Sequence, residues 1–393
     1  VLLSAIVPCT MIDIRSITLR EIQLPMREPF RIASGAMHDR PILLLEVEDA
    51  EGFTAWSECV GAAEPNYSPE TTSTAWLALK EWLIPRVLGQ RFADPRAVDE
   101  ALRRHLRGHW MARAALEMAA WELLAHRQSK SLATVLGEAA GIAPPERRAK
   151  VAVGISLGLQ DTMEALAERV QRELAAGYHK VKLKIKPGAD VDFLAAVRKL
   201  VGDAVPLSVD ANAAYTLDDL DTLKALDAFG LIMIEQPLSW NDLVDHSRLQ
   251  KGMTTPLCLD ESITGERSAR HMIELGAGRI VNIKPGRVGG FTESLRIHAL
   301  CREHGIPVWC GGMLESGIGR AHNVALASLP GFTLPGDLSP SARYWHQDIV
   351  DPEWTMDSEG WVTVPTEQPG MGVAVDRERI AALTTRCEVF IEN

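Results

Sequence analysis

From residue 150 onward, short apolar runs alternate with amphipathic stretches. VAVGI reads as a strand. Met163, Leu166, Ala167, Val170 and Leu174 then fall at helical spacing over 163–174, and Gly177 is a stop signal. HKVKLKI is the next strand and 190–200 the next helix. The unit repeats through LSV, LIMI, LCL, RIVNI and IPVWC, each followed by a helical stretch, and FTLPGD fits an eighth strand position. Strands alternating with helices imply a parallel sheet, and most of these runs are apolar on both faces, as buried parallel strands are. Eight such units predict an α/β fold, a closed barrel over residues 145–340. An open doubly wound sheet would carry a GxGxxG after an early strand, and none follows one here.

Residues 11–140 have a different texture. ITLREIQLP, PILLLEVED and FTAWSECV predict a strand followed by a hairpin that turns at Glu51-Gly52. Helices are predicted near 70–86 and 110–127, and the second, WMARAALEMAAWELLAHR, is apolar nearly all round and so buried. This is a separate α+β domain. The segment 341–393, with the strand-like GVAVD, is expected to return to it. Two loops marked by glycine and proline, Pro29–His38 and Val60–Pro69, are expected to reach over the barrel mouth.

Five ionisable residues punctuate the alternation. Lys184, Asp210, Glu235, Asp260 and Lys284 are separated by 26, 25, 25 and 24 residues, and each ends an apolar run. Ser156 and Cys310 extend the ladder, 28 residues before Lys184 and 26 after Lys284. In barrels of this kind the active site lies at the C-terminal ends of the strands, where all five fall.

Composition narrows the chemistry. A 46% hydrophobic and 24% charged content is that of a soluble globular protein, and no apolar run is long enough to span a membrane. The net charge of −11 disfavours nucleic acid as a partner. The six cysteines form no CxxC and several lie in apolar runs, which predicts buried free thiols and a cytoplasmic location. VLLSAIVPCT lacks the basic region of a signal peptide. The globular chain is expected to start at Met11, with residues 1–10 vector-derived or from a mis-assigned start.

Three carboxylates with no His or Cys partner make an all-oxygen site suited to Mg²⁺, with Mn²⁺ as substitute. Strand ends about 5 Å apart let Asp210, Glu235 and Asp260 converge on one ion. The plainer reading is three unrelated acids capping helices or facing water. In KVKLKIKPG, Lys182, Lys184 and Lys186 share one face, which is solvated on an edge strand and inward on an interior one. The apolar neighbouring strands favour the interior. Lys284, four strands on, then faces Lys184 across the substrate. Two lysines beside a divalent cation suit proton transfer at a carbon α to a carboxylate. A basic lysine needs a lowered pKa, for which Lys182 is the like-charged neighbour of Lys184, and Arg287 that of Lys284. Arg287 is otherwise an exposed loop arginine. Asn212 and Glu261 are candidate partners of the metal ligands, and Ser156 is a candidate donor to a substrate carboxylate. The glycines of WCGGMLESGIGR, with Gly312 and Met313, allow close approach of a ligand.

The motifs KLKIKPG, VDANAAYT, IEQPL, CLDES, NIKPGRVGG and PVWCGGMLESGIGRAHN resemble the enolase superfamily, muconate-lactonizing subgroup. Sites of that superfamily pair a Lys or His base with one or two Mg²⁺ ions, a property of the class at large. The resemblance runs from residue 13 to 375 and is closest to o-succinylbenzoate synthases that also racemise N-acyl (N-succinyl) amino acids. It implies a (β/α)7β barrel with an α+β capping domain whose loops help select substrate. It further implies Asp210, Glu235 and Asp260 as Mg²⁺ ligands. Lys184 would abstract the α-proton and, in the synthase, protonate the departing hydroxyl. Lys284 would stabilise the enediolate, and in a racemase both lysines would act, one on each face. A small carboxylate is the expected substrate and a homo-oligomer the expected assembly. Mandelate racemase-like enzymes use a His on the seventh strand, where this chain has Val308, Trp309 and Cys310. Dipeptide epimerases carry a DxD near the eighth, where Asp337 stands alone, and Pro340 replaces the small or polar residue expected there. A muconate-type cycloisomerase, a Schiff-base aldolase and a non-catalytic ligand-binding barrel are the other readings.

Overall fold

The computed structural model describes residues 11–32, 35–158 and 162–392; residues 1–10 lie outside it. Seven parallel strands form one sheet in chain order: Gly154–Leu157, Lys180–Lys184, Leu207–Asp210, Ile234–Glu235, Leu257–Leu259, Ile280–Ile283 and Val308–Cys310. A helix follows each: Met163–Ala175, Val191–Val201, Leu220–Ala225, Val244–Lys251, Glu266–Leu275, Phe291–Glu303 and Gly317–Ala327. The first of these starts where Thr162 accepts a hydrogen bond from the Ala165 amide, a side-chain cap for an otherwise unpaired donor.

The sheet closes through residues 332–337. The Val308 amide donates to Gly331 O at 3.1 Å, the Asp337 amide to Cys310 O at 2.9 Å, and the Gly154 amide to Gly336 O at 2.7 Å. FTLPGD thus takes the eighth position, but as isolated bridges (Val308–Phe332 and Val153–Gly336) rather than a regular strand. Pro335 in its middle has no N–H for a ladder. The fold is a (β/α)7β barrel.

The second layer is an antiparallel sheet in the order Thr384–Ile391, Ile12–Ile32, Gly35–Asp49, Thr54–Cys59. Gly52 turns the hairpin at φ +85°, a left-handed conformation that glycine adopts without steric cost. The chain end returns to this sheet through Thr384–Ile391, whereas Ala374–Val375 of GVAVD pairs with Val350–Asp351 instead. The first expected loop, Pro29–His38, is largely not a loop. Phe30 pairs with Met37 and Ile32 with Gly35, and the tip at 33–34 lies outside the described residues. The predicted helix near 70–86 is split by a wide turn at Leu79–Leu83.

Helix Trp110–Arg127 is buried from Met111 to Ala125, as its all-round apolar pattern requires. Acids of the antiparallel domain reach the N-termini of two barrel helices. Glu117 accepts from the Phe291 and Thr292 amides at 2.6 and 2.8 Å, and Glu58 from the Ser316 and Gly319 amides at 3.0 and 3.2 Å. Helix N-termini favour such anions. Burial, assisted by the neighbouring Glu315, nevertheless pushes the Glu58 carboxyl up to about 8, and burial pushes Glu117 up to about 7. No helix among the described residues is long and apolar enough to cross a membrane.

Candidate active site

Strand register shows how the ladder is built. Lys184, Asp210 and Glu235 lie in one row, but Glu235 pairs with Cys258, two residues short of Asp260. Leu259 then pairs with Val281, so Lys284 stands further along still. The five charges therefore climb a stagger of the kind barrel closure demands, while keeping one parity and facing inward.

Each predicted carboxylate meets cations. Lys184 Nζ lies 2.8 Å from Asp210 Oδ2 and also bonds Asn212 Oδ1. Lys182 Nζ lies 3.0 Å from Glu235 Oε2 and 3.4 Å from Asp210 Oδ2. Lys284 Nζ lies 2.9 Å from Asp260 Oδ2, and Arg287 Nη1 bonds Asp260 Oδ1. Among the described residues no three acids, histidines or cysteines close around one point as the side chains stand. The predicted convergence of three carboxylates is thus replaced here by carboxylate–ammonium pairs on neighbouring strand ends.

Burial opposes the ionisation of Asp210, but Lys184 and Lys182 more than reverse it and hold its pKa well below the usual carboxylate range. Burial likewise opposes the charges of Lys182 and Lys284. Asp337, Glu235 and Asp210 hold the first above the usual lysine value, and Tyr67 and Glu235 do so for the second. Arg287 is buried rather than an exposed loop residue, with Nε donating to Ile263 O at 3.0 Å and Nη2 to Asn282 O at 2.6 Å. Asn212 is held at φ 41°, which Asn tolerates, and its Nδ2 donates to Glu261 Oε1 at 3.1 Å.

A cavity of about 350 Å³ opens over these groups. Ser156, Lys182, Lys184, Asp210, Asn212, Glu261, Lys284, Gly312 and Met313 line it. Glu235, Asp260 and Arg287 do not line it and lie buried behind that surface. The neighbouring domain contributes Arg40, Ala62, Asn66 and Tyr67, so the Val60–Pro69 loop does reach the barrel mouth. Tyr67 Oη donates to Asp260 Oδ1 at 2.9 Å and accepts from Lys284 Nζ at 3.1 Å. Arg40 fastens that loop by donating to Val60 O and Gly61 O at 2.8 and 2.9 Å.

Sequence reasoning missed Tyr67 and Arg40, for which no spacing rule gives a signal. It also missed Asn282, whose Nδ2 donates to Glu235 Oε1 at 2.8 Å. A signal existed there: Asn282 is a polar residue in the apolar run RIVNIK, on the parity of Lys284.

Whether this set suits a divalent cation rests on two observations. Its donors are oxygens, as Mg²⁺ prefers. One oxygen is also in want of a partner: Glu261 Oε2 is buried without a hydrogen bond among the described residues. Burial and then the Asp210 charge push the Glu261 carboxyl up to about 7. A cation beside Asp210 would relieve that repulsion, so the residues fit.

A family model described as mandelate racemase / muconate lactonizing enzyme, N-terminal domain, matches residues 14–137, and an enolase C-terminal domain-like model matches 165–379. The chain belongs to the mandelate racemase/muconate-lactonizing family of the enolase superfamily. Within this family, it is 45% identical over 379 residues to an o-succinylbenzoate synthase of Geobacillus stearothermophilus, covering 96% of this chain and 98% of that one. It is 48% identical over 360 residues to an N-succinylamino acid racemase of Thermus thermophilus, covering 92% of this chain and 94% of that one. The crystal structure of an enolase-superfamily member from Listeria innocua superposes with a TM-score of 0.91 at 37% identity, covering 97% of this chain and all of that one. Like these family members, the chain is an enzyme.

Proposed function

We propose that this enzyme removes a proton α to a carboxylate with Mg²⁺ bound, and that its principal reaction is the dehydration that forms o-succinylbenzoate. The observation that carries the reading is the placement of two lysines, Lys184 and Lys284, at the second and sixth of eight barrel positions, both lining one cavity. Asp210, Glu235 and Asp260 would hold the ion, with Glu261 beside them. Bound there, Mg²⁺ supplies Lewis-acid stabilisation of the charge that develops on the substrate carboxylate.

Lys184 is the proton carrier. Its Nζ is oriented by Asp210 and Asn212, and its side chain is 31% exposed, the most open of the three site lysines. It takes the α-proton and returns it to the departing hydroxyl. Lys284, seated against the Tyr67 ring and Asp260, stabilises the enediolate from the other side of the cavity. The 45% identical o-succinylbenzoate synthase, covered over 98% of its length, supports the dehydration. N-succinylamino acid racemase is the second reading, supported by the 48% identical relative and by a lysine on each side of the cavity. The buried, unpaired Cys59, Cys258, Cys301 and Cys310 support a reducing, cytoplasmic setting. A small carboxylate substrate and a homo-oligomeric assembly complete the proposal.

The test compares kcat/KM for o-succinylbenzoate formation with that for racemisation across a panel of N-acyl amino acids, with Mg²⁺ and with EDTA. The expected result is a preference for the dehydration, lost in EDTA and restored by Mg²⁺ or Mn²⁺. Activity that survives EDTA, or covalent trapping of substrate by borohydride, would replace this reading with Schiff-base chemistry.

A further inference from the structure

Beneath Lys182 lies a second buried ammonium that the proposed reaction does not use. Lys180 is fully buried on the second barrel strand, its Nζ 3.6 Å from the centroid of the Trp309 ring. Among the described residues it has no hydrogen-bond partner, and Asp337 Oδ1, itself without one, stands 4.0 Å away. The aliphatic part of Lys180 fills the space left by Gly154, where a Cβ would come within 2.7 Å of Lys180 Cε. Asp337 faces two ammonium groups, because its Oδ2 lies 2.8 Å from Lys182 Nζ. That is the shortest of the three carboxylate contacts of Lys182, against 3.0 Å to Glu235 and 3.4 Å to Asp210.

Asp337 is anchored through its backbone. Its amide donates to Cys310 O at 2.9 Å, and its carbonyl accepts from Arg320 Nη1 at 2.6 Å. Its side chain belongs to the eighth barrel segment, across the closure from the strands that carry Asp210 and Glu235.

We propose that Asp337 is a positioning residue that holds Lys182 back, so that Asp210 and Glu235 can give their oxygens to the metal. The inference rests on the proposed function, in which those two carboxylates are ligands. Without Asp337, Lys182 keeps only Asp210 and Glu235 as anions, and a cation must displace it from both. Lys180, seated on Trp309, cannot take over this role, because among the described residues its only carboxylate within ion-pair range is Asp337.

The test is calorimetric titration of the substrate-free enzyme with Mg²⁺ and with Mn²⁺. Asp337→Asn should weaken binding by about tenfold or more, the scale of losses when a group supporting a metal ligand is removed. Two charge-balanced double variants separate positioning from net charge. D337N/K182M should regain wild-type affinity, because the competitor is gone, whereas D337N/K180M should stay weak. K182M alone, with Asp337 in place, should bind at least as tightly as wild type, which keeps the test open if Asp337→Asn does not fold. Wild-type affinity in D337N, recovery in D337N/K180M, or weakened binding in K182M would each overturn the inference. A wild-type enzyme that binds neither ion would overturn the proposed function itself, a separate outcome from any of these.

Discussion

Gly311 offers a sharp test of how the active lysines are seated. It follows the seventh barrel strand, and its amide donates to Asn282 Oδ1 at 2.9 Å. A Cβ at 311 would lie 2.4 Å from Asn282 Oδ1, 2.6 Å from its Nδ2 and 2.6 Å from Lys284 Cε. Its backbone is not in the left-handed region, so an alanine there is tested for space alone. Ordinary contact begins near 3.4 Å, so Lys284 and Asn282 must retreat by about 0.8–1.0 Å, a displacement that costs about 100-fold in rate. Asn282 cannot yield freely, because its Nδ2 is committed to Glu235 Oε1. Gly311→Ala should therefore lower kcat by about 100-fold, or about 2.7 kcal/mol of transition-state stabilisation. Overpacking should also cost about 1–3 kcal/mol of stability. Steady-state kinetics with thermal denaturation of the same preparation measures both. Because Lys284 acts on charge that develops during the reaction, the loss should fall on kcat more than KM. A folded G311A enzyme with wild-type kcat would show that Lys284 is not held against this glycine, and the argument from close packing would fail.

Two further outcomes follow from named groups. Lys184→Ala should lower kcat by about 10²–10⁴-fold, the usual contribution of a positioned proton carrier, and should abolish incorporation of solvent deuterium at the α-carbon of substrate. Deuterium exchange at the wild-type rate in K184A would assign the base elsewhere. Glu58 makes stability fall with pH: its folded pKa, about 8, lies above its ordinary value of 4.5, so the unfolded chain loses its proton first. The stability this group contributes is complete below pH 4.5 and is lost as pH rises towards 8. Glu58→Gln should flatten that decline in denaturation measured at pH 5, 6.5 and 8, and an equal slope in both proteins would refute the assignment.

The barrel was legible because parallel strands are buried on both faces and their helices are amphipathic, so the alternation of runs is itself the architecture. The row Lys184–Asp210–Glu235 was legible for the same reason, since one residue at the end of each repeat keeps one parity. The eighth position was found but not its irregular form, which depends on which neighbours close the sheet. The Pro29–His38 segment carries loop residues yet is drawn into pairing along most of its length by the hairpin around it.

Local sequence, then, determined which residues end each strand, which way they face, and the acid–base character of the site. Tertiary structure decided what those charges touch. The register shift that lifts Asp260 and Lys284 above the first row comes from barrel closure and is invisible in spacings of 24 to 26 residues. Tyr67 and Arg40 arrive from another domain, and Asp337 reaches Lys182 only because the eighth segment closes beside the first strand. Periodicity reports a side chain's direction relative to its own backbone. Contacts between distant segments depend on packing, and packing decides which carboxylate each buried ammonium finds.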